Sequence, residues 1–399
     1  MHARHTNLGN AWASVNNQPL SPMYRRHLLT CLIATVSCTA SLAAETPQGN
    51  DIVVGQIAPF TGLQAPDPKE LNEGIKAGIA EINAKGGIQG RKVVLFELDD
   101  TYTLDGFRKQ LPIALARKPV ALLAPLGSAT LKGVLDTKLL DNANIVLINA
   151  VPGTDVLRSP GHPKLFHVRA GDKQQIRKIV EHAQTLNIKS MAVLYQDIPM
   201  GTSGMAAAQE TAAALGNMMV TGFKAGTDAS AIEKAAKAAA ASNAQSGLVL
   251  GAPKFSGEGL AALRSAGMSQ QLFTLSYLPG PALREFAGDG ARGVGIAQIF
   301  PNPLGVGTPL QRDFRNAMKL VHPDIPSYTT FHMEGYVTAR VFSEAARRTK
   351  KMTPDGIAQA LRDMGEIDLG GFRVNFAKGN IGSKFVDIGV VMSDGKLMY

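Results

Sequence analysis

The chain has 399 residues and a formal net charge of +9, with 45% hydrophobic and 18% charged residues. That length accommodates two domains of ordinary size, and the balance excludes a disordered or fibrous chain. The basic residues are scattered, without a Lys/Arg block or aromatic interleaving, which argues against nucleic-acid binding.

Acidic residues are absent before Glu45. Met23-Tyr24-Arg25-Arg26-His27 is a basic start, Leu28 to Val36 an apolar core, and Ser41-Leu42-Ala43-Ala44 a run of small residues suited to cleavage. Residues 1–44 therefore read as a leader with a secretory signal peptide, its true start expected at Met23. The apolar core is too short for a bilayer span of about 20 helical residues. Cys31 and Cys38 both lie in this leader, so the mature chain has no disulfide, cysteine nucleophile or thiolate site. Thr35-Val36-Ser37-Cys38 lacks the usual leucine of a lipoprotein cleavage box, which argues against a lipid anchor at Cys38. Losing Arg4, Arg25 and Arg26 with the leader brings the net charge from +9 to +6.

Ile52, Val53, Val54 and Ile57 predict a strand buried on both faces. Leu71, Ile75, Ile79 and Ile82 recur at spacings of four and three, one face of a helix that Gly86-Gly87 stops. Val93 to Leu98 is a second strand, completing a βαβ unit and implying a parallel sheet. Alternation continues. Helices are predicted over 107–116, with Pro112 near a turn or kink, and over 131–140, 174–186, 205–215, 232–241, 260–266, 309–321 and 333–348. Strands are predicted over 120–124, 145–148, 190–195, 247–250 and 272–277, with extended pieces at 166–169 and 294–300. Thr353-Pro354-Asp355 opens a last helix with a hydroxyl cap and proline in the first turn. Residues 372–376 and 385–391 read as antiparallel strands. The fold class is α/β, with helices on both faces of mostly parallel sheets.

The strand ending P-F-T-G, the segment E-I-N-A-K-G-G-I-Q-G-R-K-V from Glu81 to Val93 and the acidic strand end Asp99-Asp100 resemble the opening of type I periplasmic binding proteins. Within that superfamily they resemble the branched-chain amino acid (Leu/Ile/Val) binding branch of ABC importers, from Ile52 to the C-terminus. The resemblance implies two α/β lobes joined by three hinge crossings, with ligand in the cleft between them. The crossings are expected near Val168-Arg169, near Ala297-Gln298 and near 369–372. Lobe 1 is then 51–168 plus 299–370, and lobe 2 is 169–298 plus 371–399.

In open parallel sheets ligands bind outside the carboxyl ends of the strands. That rule selects the loops 59–62, 125–130, 149–154, 196–204, 251–255 and 277–280. Candidate ligand-binding residues in the first lobe are Thr61, then Ser128, Ala129 and Thr130, then Asn149, Val151 and Thr154. Hydroxyls and backbone N–H groups at a helix N-terminus suit a carboxylate, although helix capping uses the same groups. The resemblance implies a carboxylate clamp with its serine at Ser128 and its second hydroxyl at Thr154. On the ammonium side this chain departs from the family. Met200 stands before Gly201 where a tyrosine is usual, Ala252 where a second aromatic falls, with Phe255 close by, and Tyr277 where the acidic partner of the ligand ammonium falls. Asp197 is then the nearest acidic residue in a cleft-facing loop. A buried ammonium without a carboxylate partner is costly, so the candidates Met200, Phe255 and Tyr277 point to an aromatic or aliphatic carboxylate, or an amide, as readily as to an amino acid.

No cofactor or metal is expected: His162, His167, His182, His322 and His332 show no paired metal spacing. Neither a G-x-S-x-G elbow, a P-loop nor an H-E-x-x-H is present, so the reading is a binding protein and not an enzyme. Asp99 and Asp100 are adjacent on a strand and point to opposite faces, which favours solvation or capping over paired acid/base work. The expectation is a monomeric periplasmic receptor that hands a small solute to an inner-membrane ABC permease. The alternative is a periplasmic sensor that docks on a membrane signalling partner.

Overall fold

A computed structural model describes residues 49–62, 67–216 and 218–399. The signal peptide, the Met23 start and Cys38 lie outside the described residues. Contacts divide the chain after Ala43, and every described element belongs to the unit Ala44–Tyr399.

β1 (Ile52–Ala58) runs parallel to β2 (Val93–Asp99) on one side and β3 (Ala121–Leu123) on the other. β4 (Leu147–Ile148) and β5 (Leu165–Phe166) extend the sheet in parallel, giving the order β2-β1-β3-β4-β5. Alternate residues serve opposite faces. Ala121 and Leu123 enter one core, while Leu122 enters the other. α1 (Asp67–Ala84) covers the first face with Leu71, Ile75, Ile79 and Ile82. α2 (Leu104–Ala116), α3 (Ser128–Asp136) and α4 (Leu139–Asn142) cover the second. Pro112 lies inside α2, which continues through it. The helix expected over 131–140 is two helices, broken at Lys138 in the left-handed region.

The second lobe holds α5 (Asp172–Thr185), β6 (Ser190–Gln196), α6 (Pro199–Leu215), β7 (Met219–Ala225), α7 (Ala229–Ala241), β8 (Ser246–Leu250), α8 (Pro253–Ser265), β9 (Gln271–Thr274), α9 (Gly280–Ala287) and β10 (Gly295–Gln298). The chain then returns to the first lobe for α10 (Pro309–Val321), α11 (Thr330–Arg348), α12 (Pro354–Asp363) and the hairpin β11 (Glu366–Asp368) and β12 (Arg373–Asn375). It ends in the second lobe with β13 (Asp387–Val391), antiparallel to β10, and β14 (Leu397–Met398), antiparallel to β13. The second sheet has the order β14-β13-β10-β9-β8-β6-β7. Thr353 caps α12 as its sequence predicts, accepting from the Gly356 N–H at 3.2 Å.

The third crossing differs from expectation. Gly370 and Gly371, at φ 98° and 103°, turn β12 back onto β11. Phe372, Val374 and Phe376 then enter the first lobe's core with Phe300 and Phe314. Residues 371–376, expected in lobe 2, thus pack with lobe 1, because their alternating apolar side chains complete that core. The chain crosses beyond them, beside the first crossing: the His167 N–H donates to Asn380 O, and the Gly382 N–H to His167 O, both at 2.8 Å.

Candidate ligand-binding cleft

The loops after β4 and β9 meet across the two lobes, through Gly153 and Tyr277. After β1, Thr61 is exposed and tied to the end of β2: its N–H donates to Asp99 Oδ1 at 3.2 Å and its hydroxyl to Asp99 Oδ2. Burial opposes the Asp99 charge, but hydrogen bonds from Thr61 and Thr101 outweigh it and hold the carboxyl below its ordinary range. Its neighbour Asp100 is fully buried and accepts from the Tyr102 N–H at 3.0 Å, with Oδ2 unpartnered among the described residues. The two carboxylates do different local work, as their alternating directions predict.

After β3, Gly127 sits at φ 98° and precedes α3 without offering a side-chain cap. Among the described residues no side chain accepts from the first-turn N–H groups of α3, and Ser128 and Ala129 are exposed beside them while Thr130 is buried. That end can receive a carboxylate.

The next loop is mostly structural. Asn149 is buried and donates to Glu334 Oε1 at 3.0 Å and to Thr338 Oγ1 at 2.8 Å, while accepting from the Val168 N–H at 3.2 Å. Val151 packs in the first core. Thr154 is buried and its carbonyl begins a short 3-10 turn. The polar group this loop does present is the Gly153 N–H, which donates to the Tyr277 hydroxyl at 2.8 Å. Tyr277 follows β9, so this bond joins the lobes.

Tyr277 stands in a polar cluster that no single stretch of sequence announces. Its hydroxyl donates to Asp172 Oδ1 at 2.6 Å, and the Arg169 guanidinium lies over its ring at 4.9 Å. Arg169 is fully buried at the first crossing. It pairs with Glu334 at 3.2 Å and donates to Ser276 Oγ at 2.6 Å. Arg158 Nη1 donates to Arg169 O at 3.0 Å, while its Nε and Nη2 have no partner among the described residues. Burial pulls Arg158 down to about 10, against the pull of Tyr277 and Asp172. Burial likewise raises the carboxyls of Asp172 and Glu334, with Tyr277 and Arg158 opposing at the first and Arg169 and Asn149 at the second. The Tyr277 phenol is raised by burial and by the adjacent Asp172 charge.

Two second-lobe candidates sit elsewhere. Met200 is half-buried in the first turn of α6 and packs on that lobe's core. Phe255 is on α8 and only 3% exposed, packed with Leu260, Leu263 and Leu283. Asp197 pairs with Lys224 at 3.2 Å. The acidic residue near Tyr277, which sequence reasoning placed no closer than Asp197, is Asp172. Its signal in the sequence is R-A-G-D-K-Q-Q from Arg169 to Gln175, where three charged residues, Arg169, Asp172 and Lys173, stand between a strand and a helix. Beside the Tyr277 loop lies a cavity of about 280 Å³, lined by Pro279 and Pro281 from the second lobe and by Glu70, Tyr328 and Thr329 from the first. Among the described residues no group of His, Cys, Asp and Glu is arranged to hold a metal ion.

A family profile described as "Periplasmic binding protein" matches residues 51–389. The Leu/Ile/Val-binding protein homolog 7 of Brucella suis biovar 1 is 25% identical over 391 residues, covering 92% of this chain and 95% of that one. An extracellular ligand-binding receptor from Verminephrobacter eiseniae ef01-2, known by crystal structure, is 49% identical with a TM-score of 0.84, over 88% of this chain and 100% of that one. A substrate-binding periplasmic protein from Ralstonia solanacearum is 27% identical with a TM-score of 0.77, over 87% and 99%. These are solute-binding proteins rather than enzymes, and the chain belongs to their family, the type I periplasmic binding proteins of the Leu/Ile/Val-binding kind.

Proposed function

We propose that the chain captures a small carboxylate-bearing solute between its lobes in the periplasm and delivers it to an inner-membrane ABC permease. The carrying observation is the uncapped N-terminus of α3, with Ser128 exposed on it, next to the loop whose Gly153 bonds Tyr277 of the other lobe. Backbone N–H groups and the Ser128 hydroxyl bind the carboxylate. The second lobe closes over it, and the solute's preference for the closed form shifts the equilibrium. The relatives' naming for leucine, isoleucine and valine supports a solute of that size. Phe255 does not contribute an aromatic wall, since its ring is in the core.

The test is a thermal-shift screen of the mature protein, residues 44–399, against amino acids, amides, aromatic and aliphatic carboxylates, and nucleosides. Solute at 100 times its Kd stabilises by about 2.7 kcal/mol. Ser128→Ala should weaken a carboxylate hit roughly tenfold or more, the cost of one charge-assisted hydrogen bond. A screen in which only uncharged nucleosides bind would overturn the reading.

A further inference from the structure

Gly153 and Asp172 stand side by side. A Cβ built on Gly153 would lie 2.2 Å from Asp172 Oδ1 and 2.4 Å from the Tyr277 hydroxyl oxygen, so the three groups are in direct contact. One is a backbone N–H in the loop that follows β4 of the first lobe. The other is a buried carboxylate in the first turn of α5. A backbone donor and a carboxylate acceptor this close are the pair that the carboxylate and ammonium of an α-amino acid use together. In this chain a single phenolic hydroxyl takes both, accepting from Gly153 at 2.8 Å and donating to Asp172 at 2.6 Å.

The phenol is fixed there from several sides. Arg169 covers its ring. The preceding residue, Ser276, is held through its hydroxyl by Arg169 and through its N–H by Gln175 Oε1 at 3.0 Å. A solute ammonium that displaced the hydroxyl would have to move the ring out of this seat and leave the phenol without its two partners, a loss of two buried hydrogen bonds.

We propose that Tyr277 is the specificity-determining residue of the cleft: its hydroxyl engages the buried carboxylate of Asp172 that an α-ammonium would need, so the chain accepts a carboxylate at the N-terminus of α3 without an α-ammonium and rejects α-amino acids. This rests on the reading of the cleft as the solute site. Truncating the ring frees the Asp172 carboxylate and the Gly153 N–H and turns their place into an amino acid site.

The experiment compares leucine with 4-methylpentanoate, which is leucine without its ammonium, and adds glycine and alanine, by calorimetry on the mature protein. Wild type is expected to bind 4-methylpentanoate at least tenfold tighter than leucine. Tyr277→Ala, with Tyr277→Ser as the second truncation should the first not fold, is expected to gain α-amino acid binding at least tenfold. Adding Asp172→Asn to the truncated variant removes that gain, and Tyr277→Phe, which keeps the ring, shows none. Wild type that binds leucine as tightly as 4-methylpentanoate overturns the proposal, and so does a folded truncation without any gain. Should wild type bind neither compound nor any other carboxylate in the screen, the carboxylate reading falls, while the gain in the truncated variant still tests the role of Tyr277.

Discussion

Arg169 and Glu334, both fully buried, meet at 3.2 Å and tie the first chain crossing to α11. Taking two charges out of water is costly, so such a pair adds little over an apolar pair of similar size, but breaking it leaves one charge stranded. Glu334→Ala is expected to cost about 3–5 kcal/mol in urea unfolding. The double variant Arg169→Met/Glu334→Leu should recover most of that loss. A double variant no more stable than Glu334→Ala would mean that the stranded guanidinium is not what the single change exposes.

The same pair shows why the site was less legible than the fold. Leu71, Ile75, Ile79 and Ile82 announce α1 because a helix needs one apolar face, and they are all in the core. By contrast β7 is a sheet edge, with Met219, Thr221 and Gly222 exposed and a glycine at its centre, so it shows neither alternation nor an apolar run. α9 opens with Gly280-Pro281, a turn signal that also starts helices. Ser128 is a candidate from sequence alone because it lies in a strand-end loop before a helix. Arg169, Asp172 and Glu334 are not, because their roles depend on partners far away in sequence: Glu334 lies on a helix face that otherwise reads as core packing.

Phe255 provides a test that separates core from cleft. Its ring packs against Gly251, whose Cβ would fall 2.4 Å from Cδ1, and among the leucines of α8 and α9. Phe255→Ala should lose about 3–5 kcal/mol by cavity formation. Solute affinity of the folded fraction, read by calorimetry well below the melting temperature, should change less than threefold. A large affinity loss at unchanged stability would return Phe255 to the binding surface.

Asp100 gives a pH dependence with a definite sign. Burial, opposed by the Tyr102 N–H and reinforced by the Asp99 charge, pushes its carboxyl up to about 6, against about 4 in an unfolded chain. The native state therefore holds the proton more tightly. Its contribution is fully present below about pH 4 and is lost as the pH rises through 6. Asp100→Asn removes this dependence. The stability of Asp100→Asn relative to wild type should rise by roughly 2 kcal/mol between pH 4 and pH 7, at about 1.4 kcal/mol per unit. A difference that is flat across this range would show that Asp100 ionises as easily in the folded chain as in water.

The closest approach of two helices in the first lobe is set by glycines. A Cβ on Gly335 of α11 would lie 2.0 Å from Leu71 O, and one on Gly74 of α1 would lie 2.0 Å from His332 O. Both obstacles are helix backbone, which cannot rotate away as a side chain does. Gly335→Ala would normally gain helix propensity of about 1 kcal/mol, but here the methyl must push α11 off α1. That displaces Glu334, the neighbour of Gly335, from Arg169 and Asn149. The expected loss is about 3 kcal/mol or more, the upper end of overpacking. Gly307→Ala is the control, because its nearest atom is 3.8 Å away, and should stay within about 0.5 kcal/mol of wild type. Because Glu334 moves with the helix, Gly335→Ala should also loosen the seat of Arg169 under Tyr277, and so weaken solute binding from a residue that no solute touches. Equal stability of Gly335→Ala and wild type in urea would mean that the two helices can separate without cost.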